Sequence, residues 1–433
     1  MKNFRILTLG CKVNQYESEA LAQLFLDAGY VPAKEGEAAS VSVVNTCSVT
    51  NMSDRKSRKM IRQCGKGGGV VAVCGCYAQA KPEEVSQIPG VDLVIGNGDK
   101  DRLVTKIEKL LEEKEMEKIS ISPLTAETSF FHNSVKNYRE KTRAIIKIQD
   151  GCNSFCSYCI IPYVRGRLRS RNAAEILEEV RILAKNGYQE IVLAGIHVCH
   201  YGVDFPEDSP IRDLSDLLYE LEAIEGIKRI RLSSIEPFAF TDKFFTYYQQ
   251  SKKLCPHFHI SLQSGSDTVI ARMNRHYTGA YFLETVQKLR AIRPETTITT
   301  DVIVGFPGES DEEFQETLSL IQKVRFLKVH TFPYSRRSGT VADTMPHQIP
   351  SSVKDERLKQ VLHLSDEMEE KVLSSFVGKE LQVLAEEPKN GGFYGFSENY
   401  LPLIIETEKD LSNQICRVIP YRTDGKYLYA KLS

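Results

Sequence analysis

Three cysteines, Cys152, Cys156 and Cys159, lie in one short loop directly after a β-like segment at 143–148. Thiolates are soft metal ligands, but this loop supplies three of them and no fourth ligand. A closed structural zinc site needs four protein ligands, and the nearest histidines lie too far along the chain to complete one. A four-iron, four-sulfur (4Fe-4S) cluster held by three cysteines keeps one iron open for a small molecule. The spacing therefore favours an iron–sulfur cluster over zinc.

Three more cysteines, Cys11, Cys47 and Cys76, each follow a short apolar, β-like segment in the N-terminal third. A helical pattern at 17–28 lies between the first two segments, so strand and helix alternate as in a parallel sheet. The carboxyl ends of such strands share one edge, where ligands usually bind, and we expect the three cysteines to converge there. Cysteine is also a small hydrophobe that is often buried in strands. The pattern alone therefore leaves both a second metal site and simple burial open.

The composition is compatible with a large metal-binding protein of a reducing compartment. The chain has 433 residues, enough for roughly two to four domains. Its eleven cysteines fit metal ligation better than a disulfide framework, and we predict a cytoplasmic location. No apolar stretch approaches the length of a membrane span, and the apolar residues before Cys11 are too few for a secretory leader. The formal net charge of -1 gives no general electrostatic support for a nucleic-acid partner.

The cysteine loop and the residues after it resemble those of the radical S-adenosylmethionine (SAM) enzymes. Their cluster loop has the same cysteine spacing, and the run at 160–167 narrows the resemblance to the methylthiotransferases. The resemblance implies that the open iron chelates SAM and that one electron cleaves it to a deoxyadenosyl radical. It also implies a reductant such as flavodoxin or ferredoxin, and it leaves the source of the sulfur open.

The N-terminal cysteine motifs resemble those that hold an auxiliary cluster in the same family. They lie at 10–18, 45–47 and 75–79. The resemblance implies two 4Fe-4S clusters, one held by Cys152, Cys156 and Cys159. The other would be held by Cys11, Cys47 and Cys76, again with one open iron. Cys74 lies on the same face of its strand, and we assign the ligand to Cys76 because the Gly-Cys of the motif falls there.

The order of the predicted elements indicates an α/β protein of three parts. We predict an N-terminal parallel-sheet α/β domain at 1–113, a linker at 114–137, a partial (β/α)6 barrel at 138–368 and a small all-β barrel at 371–433. Six strand–helix units favour a partial barrel over a closed one of eight, and radical SAM enzymes share this architecture.

The run at 395–400 resembles the TRAM domain, an RNA-binding barrel. Its aromatic residues either stack unpaired bases or fill the barrel core. These residues are Phe393, Tyr394, Phe396 and Tyr400.

Loops after the carboxyl ends of the strands carry the chemistry in barrels of this kind. Polar residues and glycines in these loops are candidates for contacts to SAM or substrate, although each glycine can equally serve a tight turn. The candidates are Gly195, Ser233, Glu236, Gln263 and Asp301. The backbone near Gly195 is placed to meet the amine of the methionine part of SAM. Four histidines are interpreted as structural rather than as ligands: His197, His257, His259 and His276.

Two basic runs each follow a cysteine motif. One lies at 55–62, after Cys47, and the other lies at 165–171, after the loop with Cys159. A charge run is commonly just a solvated face, but both runs would abut the inferred reaction edges, where phosphate steering requires positive charge. We therefore predict that both runs contact RNA.

The resemblance covers essentially the whole chain and extends to a branch of the family. The runs at 11–18 and 233–237 look most like the branch that modifies threonylcarbamoyladenosine beside the anticodon. The implied reaction transfers a methylthio group to C2 of that base, so the implied partner is the anticodon stem-loop of tRNA, with no membrane. Two alternatives within the family are isopentenyladenosine in tRNA and an aspartate of a ribosomal protein. An alternative of a different class is a non-catalytic iron–sulfur RNA-binding protein.

Overall fold

The N-terminal part of the chain forms a six-stranded parallel sheet. The computed structural model describes residues 2–112, 117–125, 128, 130–133, 135, 138, 142–389 and 391–433. The strands are β1 (Asn3–Thr8), β2 (Val31–Pro32), β3 (Val41–Thr46), β4 (Val70–Gly75), β5 (Leu93–Ile95) and β6 (Ile119–Ser120). Their order is β2-β1-β3-β4-β5-β6. All six residues of β3 are buried, as is typical of an inner strand of a parallel sheet.

In the described part of the chain, five α-helices accompany this sheet. They are α1 (Lys12–Asp27), α2 (Asn51–Cys64), α3 (Cys76–Ala80), α4 (Pro82–Ser86) and α5 (Leu103–Glu112). Helix α1 begins five residues earlier than the apolar pattern predicts, because its first turn carries polar residues of the cysteine motif. Strand β6 lies inside the predicted linker, of which 114–116, 126–127, 129, 134 and 136–137 lie outside the described residues. The domain limits derived from the sequence stay a prediction.

Six parallel strands form the central part, in two sheets of three. They are β7 (Arg143–Lys147), β10 (Glu190–Ala194), β11 (Arg229–Leu232), β12 (His257–His259), β13 (Thr297–Val304) and β14 (Lys328–Pro333). A separate two-stranded antiparallel ribbon contains β8 (Gln149–Asp150) and β9 (Arg169–Ser170). The sheets have the orders β11-β10-β7 and β12-β13-β14, and single parallel bridges connect them near β11 and β12. Within the described residues β7 and β14 do not pair. The predicted partial barrel is confirmed.

Within the described residues, nine α-helices belong to the central part. They are α6 (Ile161–Arg165), α7 (Ala173–Lys185), α8 (Leu214–Glu222), α9 (Asp242–Gln250), α10 (Asp267–Arg272), α11 (Gly279–Ile292), α12 (Asp311–Val324), α13 (Val341–Thr344) and α14 (Ser351–Ser374). Among the described residues no helix is both long and apolar enough to cross a bilayer. Helix α14 was not predicted. Its buried face contains Arg357 and Ser365 beside Val361 and Met368, so polar residues interrupt the apolar stripe that identifies a helix.

The C-terminal strands close into a barrel with its own apolar core. They are β15 (Leu381–Lys389), β16 (Gly392–Ser397), β17 (Pro402–Ile405), β18 (Ile415–Thr423) and β19 (Leu428–Leu432). The order is β15-β16-β17-β19-β18, which confirms the predicted small all-β barrel and is consistent with a TRAM domain. Closure leaves no free sheet edge. Strand β16 was not predicted as a strand, although part of the TRAM-like motif lies in it.

The C-terminal barrel packs against the amino ends of the central strands. Arg231 donates hydrogen bonds to the backbone carbonyls of Ser397 and Glu398 at 2.6 and 2.9 Å. The Tyr400 ring stacks on Phe396 and on His257, with centroids 4.5 Å apart in both pairs. These two aromatic residues are therefore occupied by protein contacts rather than free for bases. Phe393 lies in the barrel core, as the second interpretation of the aromatic residues expects.

Candidate active site

Cys11, Cys47 and Cys76 lie together at the carboxyl edge of the N-terminal sheet, as the strand order predicts. Cys11 precedes α1, Cys47 follows β3, and Cys76 begins α3. A Cβ atom on Gly10 would lie 2.9 Å from the Cβ of Cys47 and 3.1 Å from its Sγ, so these two strand ends touch. Burial, together with the nearby Cys76 and Cys11 thiols, raises the pKa of the Cys47 thiol to about 11.

The Gly-Cys pair that begins α3 is set by close packing of neighbouring strand ends. Gly75 has a φ of 93°, and a Cβ atom there would lie 2.4 Å from the carbonyl oxygen of Thr46. Only glycine fits this position. Cys74 lies fully buried in the apolar core, whereas Cys76 lies past the strand end. Both side chains are buried, so the choice of Cys76 over Cys74 as the ligand stays a prediction.

The loop with Cys152, Cys156 and Cys159 lies between β8 and α6, and two side chains from other loops contact its thiols. The Nδ1 atom of His197 is 3.9 Å from the Sγ of Cys152, and Arg275 donates to the Sγ of Cys156 at 3.7 Å. Burial raises the pKa of Cys152, but hydrogen bonding to His197 and Ser154 outweighs burial and lowers it. Burial and the neighbouring Cys156 raise the pKa of Cys159 to about 12.

Glu236 joins these two side chains. Its Oε1 atom is 3.0 Å from the Nε2 atom of His197 and 3.0 Å from a guanidinium nitrogen of Arg275. Burial raises the pKa of the Glu236 carboxyl, but His197 and Arg275 outweigh it and hold this pKa below its usual range. Glu236, a predicted SAM or substrate contact, therefore fixes the two groups that touch Cys152 and Cys156. The structural role predicted for His197 omitted its contact with the thiol, and Arg275 was not singled out from the sequence.

The remaining candidates lie in or shortly after the central strands; Ser233 follows β11 directly, whereas Asp301 lies within β13. The backbone N–H of Gln263 donates to the carbonyl of Asp301 at 2.8 Å, and Gln263 has a φ of 62°. Such a conformation is costly for a residue other than glycine and is concentrated at functional sites. The Asp301 carboxylate pairs with the Nε2 atom of His259 at 3.2 Å. The hydroxyl of Ser233 is buried and has no hydrogen-bond partner among the described residues. A ligand hydrogen bond would satisfy it.

Gly195 packs closely against Gln149, whose side chain forms a hydrogen bond with the start of the cysteine loop. A Cβ atom on Gly195 would lie 3.0 Å from the Cβ and the Oε1 of Gln149. Gln149 accepts a hydrogen bond from the backbone of His197 at 2.6 Å and donates one to the carbonyl of Gly151 at 2.7 Å. The glycine thus lets β10 approach the start of the cysteine loop.

A buried ion network connects the two cysteine sites. Glu17 of α1 pairs with Lys147 at 2.8 Å, with Arg165 at 2.7 Å and with Lys100. Asp150, two residues before Cys152, pairs with Lys147 at 2.7 Å and with Arg165 at 3.1 Å. Burial raises the pKa of Glu17, but Arg165, Lys100 and Lys147 outweigh it and hold this pKa well below its usual range. The network fixes α1, and with it Cys11, against the loop of Cys152.

The two basic runs differ in exposure. Arg165 and Arg171 are each 1% exposed, and Arg171 pairs with the buried Glu179. The prediction of RNA contact is therefore wrong for these two arginines. The run on α2 is solvated, and four of its cations form no ion pair with any described residue: Arg55, Lys56, Lys59 and Arg62.

Neither cysteine triad is arranged as a site for one ion. In the part of the chain that the structure describes, no group of three or more Cys, His, Asp or Glu side chains is suited to hold a single metal ion.

Two sequence families match the chain in the regions that carry the triads. The Radical SAM superfamily matches residues 146–321, and the uncharacterized protein family UPF0004 matches residues 3–96. The first range contains Cys152, Cys156 and Cys159, and the second contains Cys11, Cys47 and Cys76. The two matches therefore coincide with the two sites.

Curated relatives cover nearly the whole chain. The threonylcarbamoyladenosine tRNA methylthiotransferase MtaB of Bacillus subtilis is 41% identical over 95% of this chain and 92% of its own length. The enzyme of the same name from Thermotoga maritima is 39% identical over 93% of this chain and 91% of its own length. The tRNA-2-methylthio-N(6)-dimethylallyladenosine synthase of Moorella thermoacetica is 38% identical over 89% of this chain and 88% of its own length.

A solved structure shares the fold at low sequence identity. The radical S-adenosylmethionine methyltransferase TsrM from Kitasatospora setae, with cobalamin and a 4Fe-4S cluster bound, superposes with a TM-score of 0.61 at 13% identity. The superposition covers 79% of this chain and 77% of that chain. Full-length relatives at this level of identity and the fold agree with the two family matches. The chain belongs to the radical S-adenosylmethionine methylthiotransferase family.

Proposed function

We propose that the protein transfers a methylthio group to C2 of N6-threonylcarbamoyladenosine next to the anticodon of tRNA. As a member of this family it uses SAM and two 4Fe-4S clusters. The observation that carries the proposal is the pair of cysteine triads, joined by the buried network around Glu17 and set beside one open barrel. Relatives that are named for this nucleoside cover more than nine-tenths of the chain.

The residues present fit two clusters and SAM. We assign one cluster to Cys11, Cys47 and Cys76 and the other to Cys152, Cys156 and Cys159. All six thiols are free of disulfides, and three thiolates leave one iron of each cluster open. The partnerless hydroxyl of Ser233 supports a bound polar ligand at the strand ends. We assign SAM contacts to Gly195, Ser233, Glu236, Gln263 and Asp301.

The chain's own residues hold and orient the reacting groups. When bound, the clusters supply the electron for SAM cleavage and the sulfur for transfer. His197 and Arg275 contact two thiols of the radical loop, and Glu236 positions both. Glu17 and Arg165 keep the two triads at a fixed separation, so that a base between them meets both.

We also assign the partners and the location. The exposed cations on α2 follow Cys47 directly and are placed to contact RNA phosphates near the auxiliary site. We keep the anticodon stem-loop as the tRNA element that binds. We propose a cytoplasmic location, where tRNA is available, and a flavodoxin or ferredoxin as the electron donor.

The first experiment is mass spectrometry of nucleosides in tRNA from cells with and without the gene. We expect the methylthio form of threonylcarbamoyladenosine to disappear and its precursor to accumulate. Loss of the methylthio form of isopentenyladenosine instead would favour the second tRNA substrate. Unchanged tRNA with a modified ribosomal protein would contradict the proposal, and so would a protein that binds iron but yields no deoxyadenosine.

A second experiment separates the two cysteine triads. Cys152→Ala should abolish reductive cleavage of SAM, because it removes a ligand of the radical cluster. Cys47→Ala should leave cleavage intact and stop methylthio transfer. Cys64→Ala is the matched control, since this cysteine lies at the end of α2 outside both triads. Full methylthio transfer by the Cys47 variant would refute the auxiliary assignment.

A further inference from the structure

Lys12 is a cation at a helix end that ordinarily repels cations. It is exposed, begins α1 and follows Cys11 directly. The first turn of α1 contains no acidic residue and its N-cap forms no side-chain hydrogen bond. A helix N-terminus carries partial positive charge, so a lysine there is unfavourable unless an anion binds. No described residue forms an ion pair or a hydrogen bond with Lys12.

Lys12 lines a cavity of about 320 Å³ where all three parts of the molecule meet. The walls come from α1, from β7 and β10, and from β15, and they include the apolar Ile145. Among the other charged residues of the wall, Arg143 pairs with Glu386 and with the buried Glu190. Glu387 is exposed. Lys12 is therefore the one cation of this wall that lacks a partner in the described structure.

The charge of Lys12 acts on the interior of the central barrel. Burial raises the pKa of Asp301, whereas His259, His330 and Lys12 lower it. Asp301 is already paired with His259, so it is not available as the partner of Lys12. The cavity wall places Lys12 beside Ile145 and Val192 of the central strands.

We infer that Lys12 binds the carboxylate of the threonyl group on the substrate nucleoside and thereby selects this nucleoside. The inference rests on the proposed function. The substituent on N6 of threonylcarbamoyladenosine ends in a free carboxylate, whereas a dimethylallyl substituent carries no charge. Because Lys12 adjoins Cys11, the base can present C2 toward the auxiliary site while its N6 substituent reaches the ammonium group. A neutral substituent would leave this cation desolvated and unpaired, which selects against it.

The test compares two RNAs that differ only in this carboxylate. One anticodon stem-loop carries threonylcarbamoyladenosine, and the other carries the same nucleoside with threoninamide in place of threonine. The dissociation constant and kcat/KM of the wild-type protein should favour the acid by about 10- to 100-fold, the value of one hydrogen bond to a charged group. Lys12→Gln should abolish this preference, because it should weaken the binding and lower the kcat/KM only of the RNA that carries the carboxylate. Lys12→Arg should keep most of it.

The controls separate recognition from damage to the neighbouring cluster. Iron content is measured for every variant, because Lys12 adjoins Cys11. Lys66→Gln removes the same charge from an exposed position before β4, on the opposite edge of the same sheet, and should keep the preference.

Two outcomes would overturn the inference, and they are distinguishable. Equal losses on both RNAs in Lys12→Gln would indicate a phosphate contact or a disturbed site, and would leave the proposed function standing. No methylthio product from the wild-type protein on either RNA would refute the proposed function, and the inference with it.

Discussion

The two basic runs are similar in sequence, but they differ in how far their cations are buried. The run on α2 presents Arg55, Lys56 and Lys59 to solvent, whereas the run at 165–171 sends Arg165 and Arg171 into the interior. The cause lies in residues distant in sequence. Buried carboxylates, among them Glu17, stand where the second run folds, and no such groups face the exposed cations of α2 among the described residues. A charge run therefore reveals its role only through what packs against it.

The largest expected effect is that of Arg165→Met. The substitution leaves Glu17 and Asp150 short of a buried counter-ion, and such a loss typically costs about 3–5 kcal/mol. Urea unfolding measures the change in the free energy of unfolding. Arg167→Met is the matched control in the same run; Arg167 is exposed and lies over the Phe155 ring, so we expect a loss below about 1 kcal/mol. Similar losses for the two variants would show that burial does not distinguish them.

A smaller effect, on binding rather than stability, is expected from a triple variant of α2. Replacing Arg55, Lys56 and Lys59 by Gln should weaken tRNA binding and reduce its salt dependence. The log–log slope should fall by about 0.7–0.9 for each phosphate that the variant no longer neutralises. Fluorescence anisotropy at several salt concentrations measures both quantities. The free energy of unfolding should change by no more than about 0.5 kcal/mol per site.

The control for this variant removes equal charge from the other edge of the sheet. It replaces three exposed lysines that precede strands: Lys2, Lys66 and Lys118. An equal loss of tRNA affinity in this control would mean that net charge, rather than the position of α2, governs binding.

The smallest effect is a difference in acid sensitivity. The pKa of Glu17 is held well below its usual range, so stability from its ion pairs is complete above the unfolded value, about 4.3, and is lost as the pH falls through the lower folded value. The free energy of unfolding, measured with urea between pH 7 and pH 3, should therefore fall less steeply in Glu17→Gln than in the wild-type protein, by at most about 1.4 kcal/mol per pH unit. Glu84→Gln removes the exposed partner of Arg58 and should change the slope much less than Glu17→Gln does.

The positions of the cysteines in the fold were predictable, and their assignment as cluster ligands stays a prediction. The spacing of Cys152, Cys156 and Cys159 is a property of one loop, and the convergence of the N-terminal cysteines follows from parallel strands that share an edge. The network around Glu17 was not predictable, because its members come from five separate segments and each is unremarkable alone. The contacts of Tyr400 were missed for the same reason, since an aromatic residue in a small barrel gives no sign of which neighbour it will stack on.

The docking of the C-terminal barrel sets a fixed distance between this barrel and the loop of Cys152. That barrel binds residues at the beginning of the central strands, such as Arg231 and His257, while the loop of Cys152 follows the end of β7. The two ends are separated by the length of a strand, which for the five residues of β7 is about 16 Å. An RNA that contacts both ends must therefore span this fixed distance. Strand length, rather than the identity of any one side chain, decides how far from the reacting base the second contact falls.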